Sequence, residues 1–184
     1  MTNKEEHAIV LDFLSHGYPF DKRPSHKKTP IAQALGKTTL VLLELVPKKD
    51  IFLQPYEEVY IGEGKRDKIH HILGRIVPSK LTETARKELE FVLDDLIMKH
   101  PAEFIGFINN AGPINMRRHQ LELLPGIGKK HMLEILERRE EGPFKDFNDL
   151  KERVKQLPDP EKIIVRRILL ELEGNEKYYL FVKG

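Results

Sequence analysis

Apolar and β-branched residues cluster in three short runs within the first eighty residues, at 8–14, 38–46 and 69–77. Glycine, proline and Lys-Asp pairs separate the runs, a pattern typical of short strands joined by turns. We therefore predict a small barrel or curled sheet. The spacing suits an oligonucleotide-binding type barrel, and it suits other five- or six-stranded β folds as well.

The hydrophobic period changes from two toward 3.6 residues after Leu81. Thr82 is a good N-cap type for a helix that carries one continuous apolar stripe. The stripe consists of Ala85, Leu89, Val92, Leu93, Leu96 and Ile97. Pro101 begins a second, short helix that we expect to end at about Asn109, where asparagine, glycine and proline break the pattern.

An internal repeat occupies the last seventy residues. The segment LPGIGKK at 124–130 is echoed by LPDPEKI at 157–163, and each copy lies between two amphipathic segments. These flanking segments are residues 117–124 and 129–139 for the first copy and residues 147–157 and 160–172 for the second. Their inward positions are Met132, Ile135, Leu136, Leu150, Val154, Ile164, Ile168 and Leu172. We predict four short helices in two hairpins.

The residues at the predicted helix ends agree with this organisation. N-cap types stand at three of the starts, namely Asn115, Asp146 and Asp159. Pro160 suits a first helical position, and Gly174 suits a helix end. Residues 178–182 predict a final strand, which we expect to pair with the β-rich region because no other sheet lies nearby.

Composition narrows the functional classes. Apolar residues make up 40% of the chain and charged residues 33%, so a hydrophobic core can form. The opening residues do not resemble a signal peptide and no apolar stretch is long enough to span a membrane, so we expect a cytoplasmic protein. The absence of cysteine excludes disulfides and thiol nucleophiles. A net charge of +2 is too small to indicate nucleic-acid binding, so any such binding needs a local site.

The most informative stretch is residues 125–130. Gly126 and Gly128 allow a sharp turn with positive φ, while Ile127 is expected to fill the space between two helices. The loop opens a helix whose first amides lack intrahelical partners and lie at the positive end of the helix dipole. Lys129 and Lys130 add positive charge, so we predict that these amides bind a backbone phosphate. A tight interhelical turn without a ligand is the alternative.

Residues 123–130, with the apolar Met132 and Ile135, resemble the helix-hairpin-helix DNA-binding motif, and the second hairpin resembles its tandem form. The resemblance implies sequence-independent contact between the loop from Gly126 to Lys130 and backbone phosphates. The second copy departs from the motif, since Asp-Pro-Glu at 159–161 replaces Gly-Ile-Gly. The replacement removes an amide and adds negative charge, so we assign the second hairpin a packing role.

Four segments that together span most of the chain resemble the archaeal domain-of-unknown-function family 655. The segments are residues 39–46, 56–62, 67–76 and 119–128. The resemblance implies an archaeal nucleotide- or nucleic-acid-binding protein, and it supplies no catalytic residue. The predicted fold is α+β. A β-rich, oligonucleotide-binding-like domain covers 1–80, connecting helices cover 81–113, and a tandem helix-hairpin-helix domain with the returning strand covers 114–184.

Two further basic loops are candidate contact surfaces. Residues 62–68 carry Lys65, Arg66 and Lys68 between two β segments, as a second surface for a phosphate backbone or as an ordinary solvated hairpin. Residues 22–28 allow the same two interpretations. Aromatic residues offer stacking surfaces for bases, but we expect most of them to pack in the core. They are Tyr18, Phe20, Tyr56 and Tyr60.

Other motifs are excluded on local grounds. Residues 36–38 end like a Walker A loop, but Ile31 stands where the first glycine belongs and a β-type run follows. His70 and His71 are adjacent, so in a strand we expect them on opposite faces, where they cannot easily share a metal ion. We predict neither a metal site nor a cofactor.

We therefore predict a non-catalytic protein that binds DNA or RNA without reading sequence. Phosphates would be held by the loop from Gly126 to Lys130 and reinforced by Arg117, Arg118 and Lys145, while the β domain would add a second surface. The alternative is a protein-interaction scaffold in the transcription or translation machinery, which the near-zero net charge favours. An enzyme is the third possibility.

Overall fold

The structure, a computed structural model, describes residues 4–184 and has an α+β fold. Five strands come first in this part of the chain: β1 His7–Leu14, β2 Ile31–Gly36, β3 Leu42–Pro47, β4 Glu58–Tyr60 and β5 Ile69–Arg75. Five α-helices follow: α1 Glu83–Lys99, α2 Pro101–Asn110, α3 Lys129–Glu140, α4 Phe147–Arg153 and α5 Pro160–Leu172. Short 3₁₀ turns lie at Ser25–Lys27, Pro78–Lys80 and Gln120–Leu123.

The strands form one antiparallel sheet in the order β4-β1-β2-β3-β5. Val10 lies opposite Ala34, and Ala34 lies opposite Leu43, so small and branched side chains alternate across its centre. The sheet curls into a half-barrel around a buried apolar cluster that includes Val10, Ala34, Leu43, Val59 and Ile69. The predicted curled sheet is therefore confirmed.

Two of the five strands were missed by the hydrophobic pattern. The predicted runs correspond to β1, β3 and β5, whereas β2 and β4 were not predicted. The run at 38–46 began too early, because residues 37–40 form the β2–β3 turn and Leu40 takes a positive φ of 57°. The amides of Thr38 and Thr39 in this turn donate to the carboxylate of Glu5. These two amides are therefore already engaged by a side chain of the same chain.

The strand directions place two long connections at one end of the sheet. β1 and β3 are each antiparallel to β2, and β4 is antiparallel to β1. The connections at 15–30 and 48–57 therefore leave from the same end. The connection at 61–68 runs along the length of the sheet, because β4 ends opposite His7 and β5 begins opposite Pro47.

The chain divides into two compact units. One comprises the residues up to Val92 together with Glu171–Gly184, and the other comprises Leu93–Leu170. Within residues 4–184, every helix is too short or too polar to cross a membrane.

The final strand predicted at 178–182 does not form, and this prediction was wrong. The segment is irregular, but it belongs to the first unit and its backbone is held by other means. The buried carboxylate of Glu171 accepts the N–H groups of Leu180, Phe181 and Val182, and Lys183 donates its N–H to the carbonyl of Thr39. A side-chain acceptor thus replaces the strand ladder that the pattern predicted.

The helices follow the predicted periodicity and caps closely. Thr82 Oγ1 accepts the N–H of Ala85 at 3.0 Å, and all six residues of the α1 stripe are buried. Asp146 caps α4 by accepting the N–H of Asp149 at 2.7 Å. Pro160 is the first residue of α5, and Gly174 follows that helix with a φ of 82°. Of the inward positions in the repeat, only Met132 and Leu136 are half-buried and the rest are buried.

Candidate functional site

The loop between Leu124 and α3 is built on two buried side chains, Leu124 and Ile127. The N–H of Ile127 donates to the carbonyl of Leu124 at 3.1 Å and closes the turn. Gly126 has a φ of 87°, a conformation that glycine adopts at little cost. Ile127 is buried, whereas Gly126 and Gly128 on either side of it are exposed.

The start of α3 is uncapped. Gly128 is the N-cap residue and has no side chain to accept the first amides, and the first turn contains no acidic residue. The first helical hydrogen bond runs from the N–H of Met132 to the carbonyl of Gly128 at 3.0 Å. The amides of residues 129–131 therefore have no partner within the helix and carry its positive dipole end.

Exposed charge accompanies these amides. Gly126, Gly128, Lys129 and Lys130 are all exposed, and neither lysine forms an ion pair with another residue in the described part of the chain. The two ammonium groups thus add to the dipole field instead of being neutralised. Chemically, the loop can accept an oxyanion with main-chain N–H groups and two cations at hand.

One detail of the loop differs from the prediction. Gly128 has a φ of −95° and a ψ of −172°, which is extended backbone that any residue adopts, so the expected positive φ is wrong at this position. A Cβ added at Gly126 or Gly128 would meet no heavy atom within 4 Å. Neither backbone conformation nor crowding requires glycine at 128, but a side chain there would stand beside the open amides.

The second copy of the repeat has its helix start closed by its own carboxylates. Asp159 Oδ1 accepts the N–H of Glu161 at 3.2 Å, and Lys151 Nζ bonds Glu161 Oε2 at 2.9 Å. A side-chain hydrogen bond with Glu161 lowers the pKa of Asp159, whereas burial raises the pKa of Glu161. Pro160 supplies no N–H at the first helical position. An N–H group at the start of α5 is therefore engaged by a side chain, whereas the start of α3 has no side-chain cap.

The helix predicted at 117–124 begins late and is only a 3₁₀ turn. Asn115 does not cap it; its Oδ1 accepts the N–H groups of Arg117 and Arg118 in a tight loop instead. His119 is the true N-cap, because its Nδ1 accepts the N–H of Leu121 while Glu122 accepts the N–H of His119. This capping box holds the segment before the loop, and the side chains of Arg117 and Arg118 remain exposed.

Burial affects the protonation of this cap. The pKa of His119 is lowered, chiefly by burial and then by the nearby Arg139 cation. The imidazole is therefore held in the neutral form that its cap requires, since Nδ1 can accept a hydrogen bond only when unprotonated.

Several arginines of the second unit are used internally. Arg139 donates to the carbonyls of Ile108 and Ala111, and Arg153 donates to the carbonyls of Arg138 and Gly142 while its guanidinium lies 4.5 Å from the Phe144 ring centroid. These cations satisfy helix ends. Lys145, in contrast, has an exposed side chain, so it stays available for an external contact.

The second candidate loop, at 62–68 in the first unit, is partly committed to internal contacts. Arg66 Nε donates to the carbonyl of Gly62 at 2.8 Å, and Lys68 pairs with Glu57. Lys65 is exposed and forms no ion pair within residues 4–184. The loop lies against Tyr60, whose hydroxyl accepts the N–H of Gly64 at 3.0 Å. Of its three cations, only Lys65 is fully presented to solvent.

Three comparisons with known proteins bear on this chain. Residues 4–183 match a family model described as "Protein of unknown function (DUF655)". The chain belongs to the DUF655 family. An uncharacterized protein of Methanocaldococcus jannaschii is 43% identical over 181 residues, which are 97% of this chain and 80% of that protein. The crystal structure of Af1531 from Archaeoglobus fulgidus, a DUF655 protein, has 42% identity and a TM-score of 0.90, covering 97% of this chain and 99% of that one.

In this chain the two adjacent histidines do not lie on opposite faces of the strand, although we had expected them to. The Nδ1 atoms of His70 and His71 lie 2.7 Å apart, and both side chains are exposed. A register shift between Val46 and Pro47 on the partner strand breaks the alternation and turns both rings to one side. No group of three or more metal-ligating side chains occurs within the described residues.

The aromatic residues also differ from the prediction. Tyr18 and Tyr60 are half-buried, whereas Tyr56 and Phe20 are exposed, so the expected core packing was wrong. Phe52, which the pattern did not single out, is exposed too. The exposure of an aromatic ring on a strand connection cannot be predicted from residue type alone, because the same residue types fill the core elsewhere.

A cleft of about 650 Å³ beside the 62–68 loop was not predicted either. The cleft lies in the first unit of this chain. Three basic and three acidic residues contribute to its lining: Lys4, Arg66, Arg75, Glu5, Glu6 and Glu63. The balanced charge gives this cleft no preference for an anion or a cation.

Proposed function

We propose that the protein binds DNA or RNA without reading sequence, through backbone phosphates held by the loop from Gly126 to Lys130. The observation that carries the proposal is the uncapped, solvent-exposed start of α3, with Lys129 and Lys130 unpaired within residues 4–184. Phosphate oxygens are acceptors that main-chain N–H groups and lysines bind regardless of the base sequence. The proposal assigns a binding role and no catalytic one.

The contrast between the two copies supports this assignment. At α5 the chain's own carboxylates lie at the helix start, and at α3 no acidic residue stands in the first turn. A turn that served packing alone would gain stability from a capping side chain at position 128, where the backbone conformation permits one. Glycine at that position leaves the amides accessible to an external anion.

The finer architecture is part of the proposal. We propose that the loop and α3 form the first hairpin of a tandem helix-hairpin-helix arrangement, in which Gln120–Leu123 contributes only a 3₁₀ turn. We also propose that the half-barrel is of the oligonucleotide-binding type. The strand order β4-β1-β2-β3-β5, with an open seam between β4 and β5, supports that assignment.

The supporting contacts come from exposed cations near the loop in sequence and from the first unit. Arg117 and Arg118 stand on the loop that precedes the capping box, and Lys145 precedes α4. In the first unit Lys65 is the best placed of the predicted cations, since Arg66 and Lys68 are partly engaged. We propose that these four cations and the two lysines of the loop together neutralise about 3 to 5 phosphates.

The test is a titration of labelled 20-mer duplex DNA, single-stranded DNA and structured RNA at several salt concentrations. If about 3 to 5 phosphates are neutralised, the logarithm of the association constant for duplex DNA should fall against the logarithm of salt with a slope of about −3 to −4.5. Undetectable or salt-insensitive binding would refute the proposal. A partner captured from nuclease-treated lysate would then favour the protein scaffold.

A charge-matched pair of variants locates the contact. Lys129→Glu with Lys130→Glu should weaken duplex binding about tenfold or more, because two phosphate contacts are lost and two repulsive charges are added. Lys162→Glu with Arg166→Glu makes the same change in net charge on exposed residues of α5. If both double variants weaken binding equally, bulk charge explains the binding and the loop is not the site.

A further inference from the structure

A stacked aromatic pair lies on the β1–β2 connection of the first unit. Tyr18-Pro19-Phe20-Asp21 forms a β-turn in which the N–H of Asp21 donates to the carbonyl of Tyr18 at 3.1 Å. Proline at the second position favours this turn, since its ring fixes φ. The turn brings the rings of Tyr18 and Phe20 face to face, with centroids 4.9 Å apart and planes inclined by 10°.

The inner ring of the pair is fixed to the sheet. Tyr18 accepts a hydrogen bond at its hydroxyl from Nε2 of Gln33, at 3.1 Å. Gln33 is fully buried, and it also donates to the carbonyl of Lys80 at 2.9 Å and accepts the N–H of Thr82 at 2.9 Å. Every polar atom of the Gln33 side chain is thus engaged, and Tyr18 has a defined position.

The outer ring is presented to water. Phe20 is 77% exposed although its ring rests on Tyr18, so the face away from Tyr18 is uncovered. An exposed phenyl ring costs free energy of hydration and contributes little to the core. Held on a fixed partner, it is a flat apolar surface that a planar group can cover without reordering the chain.

Positive charge predominates in the connection that carries this surface. The connection at 15–30 contains four basic residues and one acid, Asp21. Asp21 pairs with Arg23 at 2.7 Å, which lowers the pKa of that carboxyl to about 2. Lys22 and Lys27 are exposed and form no ion pair within residues 4–184. The charge left over after the Asp21–Arg23 pair is positive.

We propose that the Tyr18–Phe20 stack binds an unpaired base of a single-stranded nucleic acid, with Lys22 and Lys27 contacting the adjoining phosphates. A base covers the free face of Phe20, and the lysines complement the charge of the backbone, as in single-strand binding sites generally. Bases within a duplex are already stacked, so duplex DNA has no such group to offer. This inference deepens the proposed function, on which it rests for the class of ligand.

The test uses a fluorescent ring at the site. The chain contains no tryptophan, so Phe20→Trp makes the full-length protein a single-tryptophan reporter. We expect its fluorescence to be quenched on saturation with a ten-residue oligothymidylate or oligouridylate and to be unchanged by a duplex of equal length. Comparison of the two oligonucleotides separates DNA from RNA.

Phe52→Trp is the matched control. Phe52 is 76% exposed in the same unit, but it meets Phe13 edge-on, with centroids 6.0 Å apart and planes at 83°, and it lies outside the basic connection. We expect no quenching there. Equal quenching of both tryptophans, or quenching of neither, would overturn the inference.

Affinity measurements complete the test and distinguish a failure of this inference from a failure of the proposed function. Phe20→Ala should weaken single-strand binding about 5- to 150-fold and leave duplex binding and the unfolding midpoint unchanged. The site should then no longer favour a single strand over a duplex. Quenching at position 20 with no duplex binding at the α3 loop would support the stack and refute the loop. Normal duplex binding without quenching would refute the stack alone, and absence of both would refute both.

Discussion

Gly128→Asp tests whether the amides at the start of α3 are the binding groups. Position 128 has extended backbone, as does Asp146, which caps α4 with its own carboxylate. An aspartate at 128 should therefore cap α3 and fill its anion site from within, as Asp159 does at α5. The variant should gain stability and lose affinity, two effects of opposite sign from one substitution.

Both magnitudes follow from the uncapped helix. Aspartate gains a few tenths of a kcal/mol over glycine at an N-cap and about 0.3–1 kcal/mol from the helix dipole, so unfolding should cost about 0.5–1 kcal/mol more. That corresponds to a rise of about 1–4 °C in the unfolding midpoint for a chain of this size. Losing one charge-assisted contact of about 1.5–3 kcal/mol should weaken duplex binding about 10- to 150-fold.

Thermal unfolding and duplex titration of the same preparation measure the two effects. Gly128→Ser separates the cap from the charge, because its hydroxyl caps the helix without adding an anion. We expect intermediate affinity and a midpoint close to that of the wild type. A Gly128→Asp variant that is stabilised and still binds duplex with wild-type affinity would show that the amides do not contact the ligand.

Three further predictions concern side-chain contacts that hold backbone groups within each unit. The folded-state pKa of His119 lies below its usual 6.5, so the contribution of this residue to stability is complete above pH 6.5 and declines as the pH falls below that value. His119→Asn keeps a cap acceptor that does not titrate. The thermal unfolding midpoint of this variant should therefore fall less than that of the wild type between about pH 7 and pH 5. Glu171→Gln should cost about 1–3 kcal/mol and speed hydrogen exchange at residues 180–182, whereas the exposed Glu173→Gln should do neither. Arg153→Lys should lower the free energy of unfolding, measured in urea, by about 2 kcal/mol, because an ammonium cannot reproduce the forked contacts of the guanidinium. Wild-type stability of this variant would contradict the prediction.

The helices were predictable because their signals are local. Thr82, Asp146 and Pro160 act within one turn of the helix that each begins, so spacing alone identified them. His119 was missed because histidine is an uncommon N-cap, although glutamate three residues later is the second half of a capping box. That glutamate was the available signal.

The strands depended more on their neighbours. β2 contains alanine, glutamine and leucine, which have little preference for strands, and it forms because β1 and β3 bury it on both sides. The pairing of His70 with His71 depends on a register shift that no local pattern encodes. The position of the Tyr18 ring likewise depends on Gln33, a contact across fifteen residues.

The bulk charge of the chain was uninformative because many of its cations already have partners. Arg139 and Arg153 satisfy backbone carbonyls, Lys151 bonds Glu161, and Lys68 pairs with Glu57, so these cations contribute to the count without being offered to a ligand. Among the cations without an ion pair within residues 4–184, Lys129 and Lys130 stand at the open amides of α3, and Lys22 and Lys27 belong to the connection that carries the uncovered ring. Ligand preference depends on these unpaired cations, because a cation that is already paired has to give up its partner to bind a phosphate. The contacts of the cations, and not their number, therefore make a chain with a net charge of +2 compatible with a polyanionic ligand.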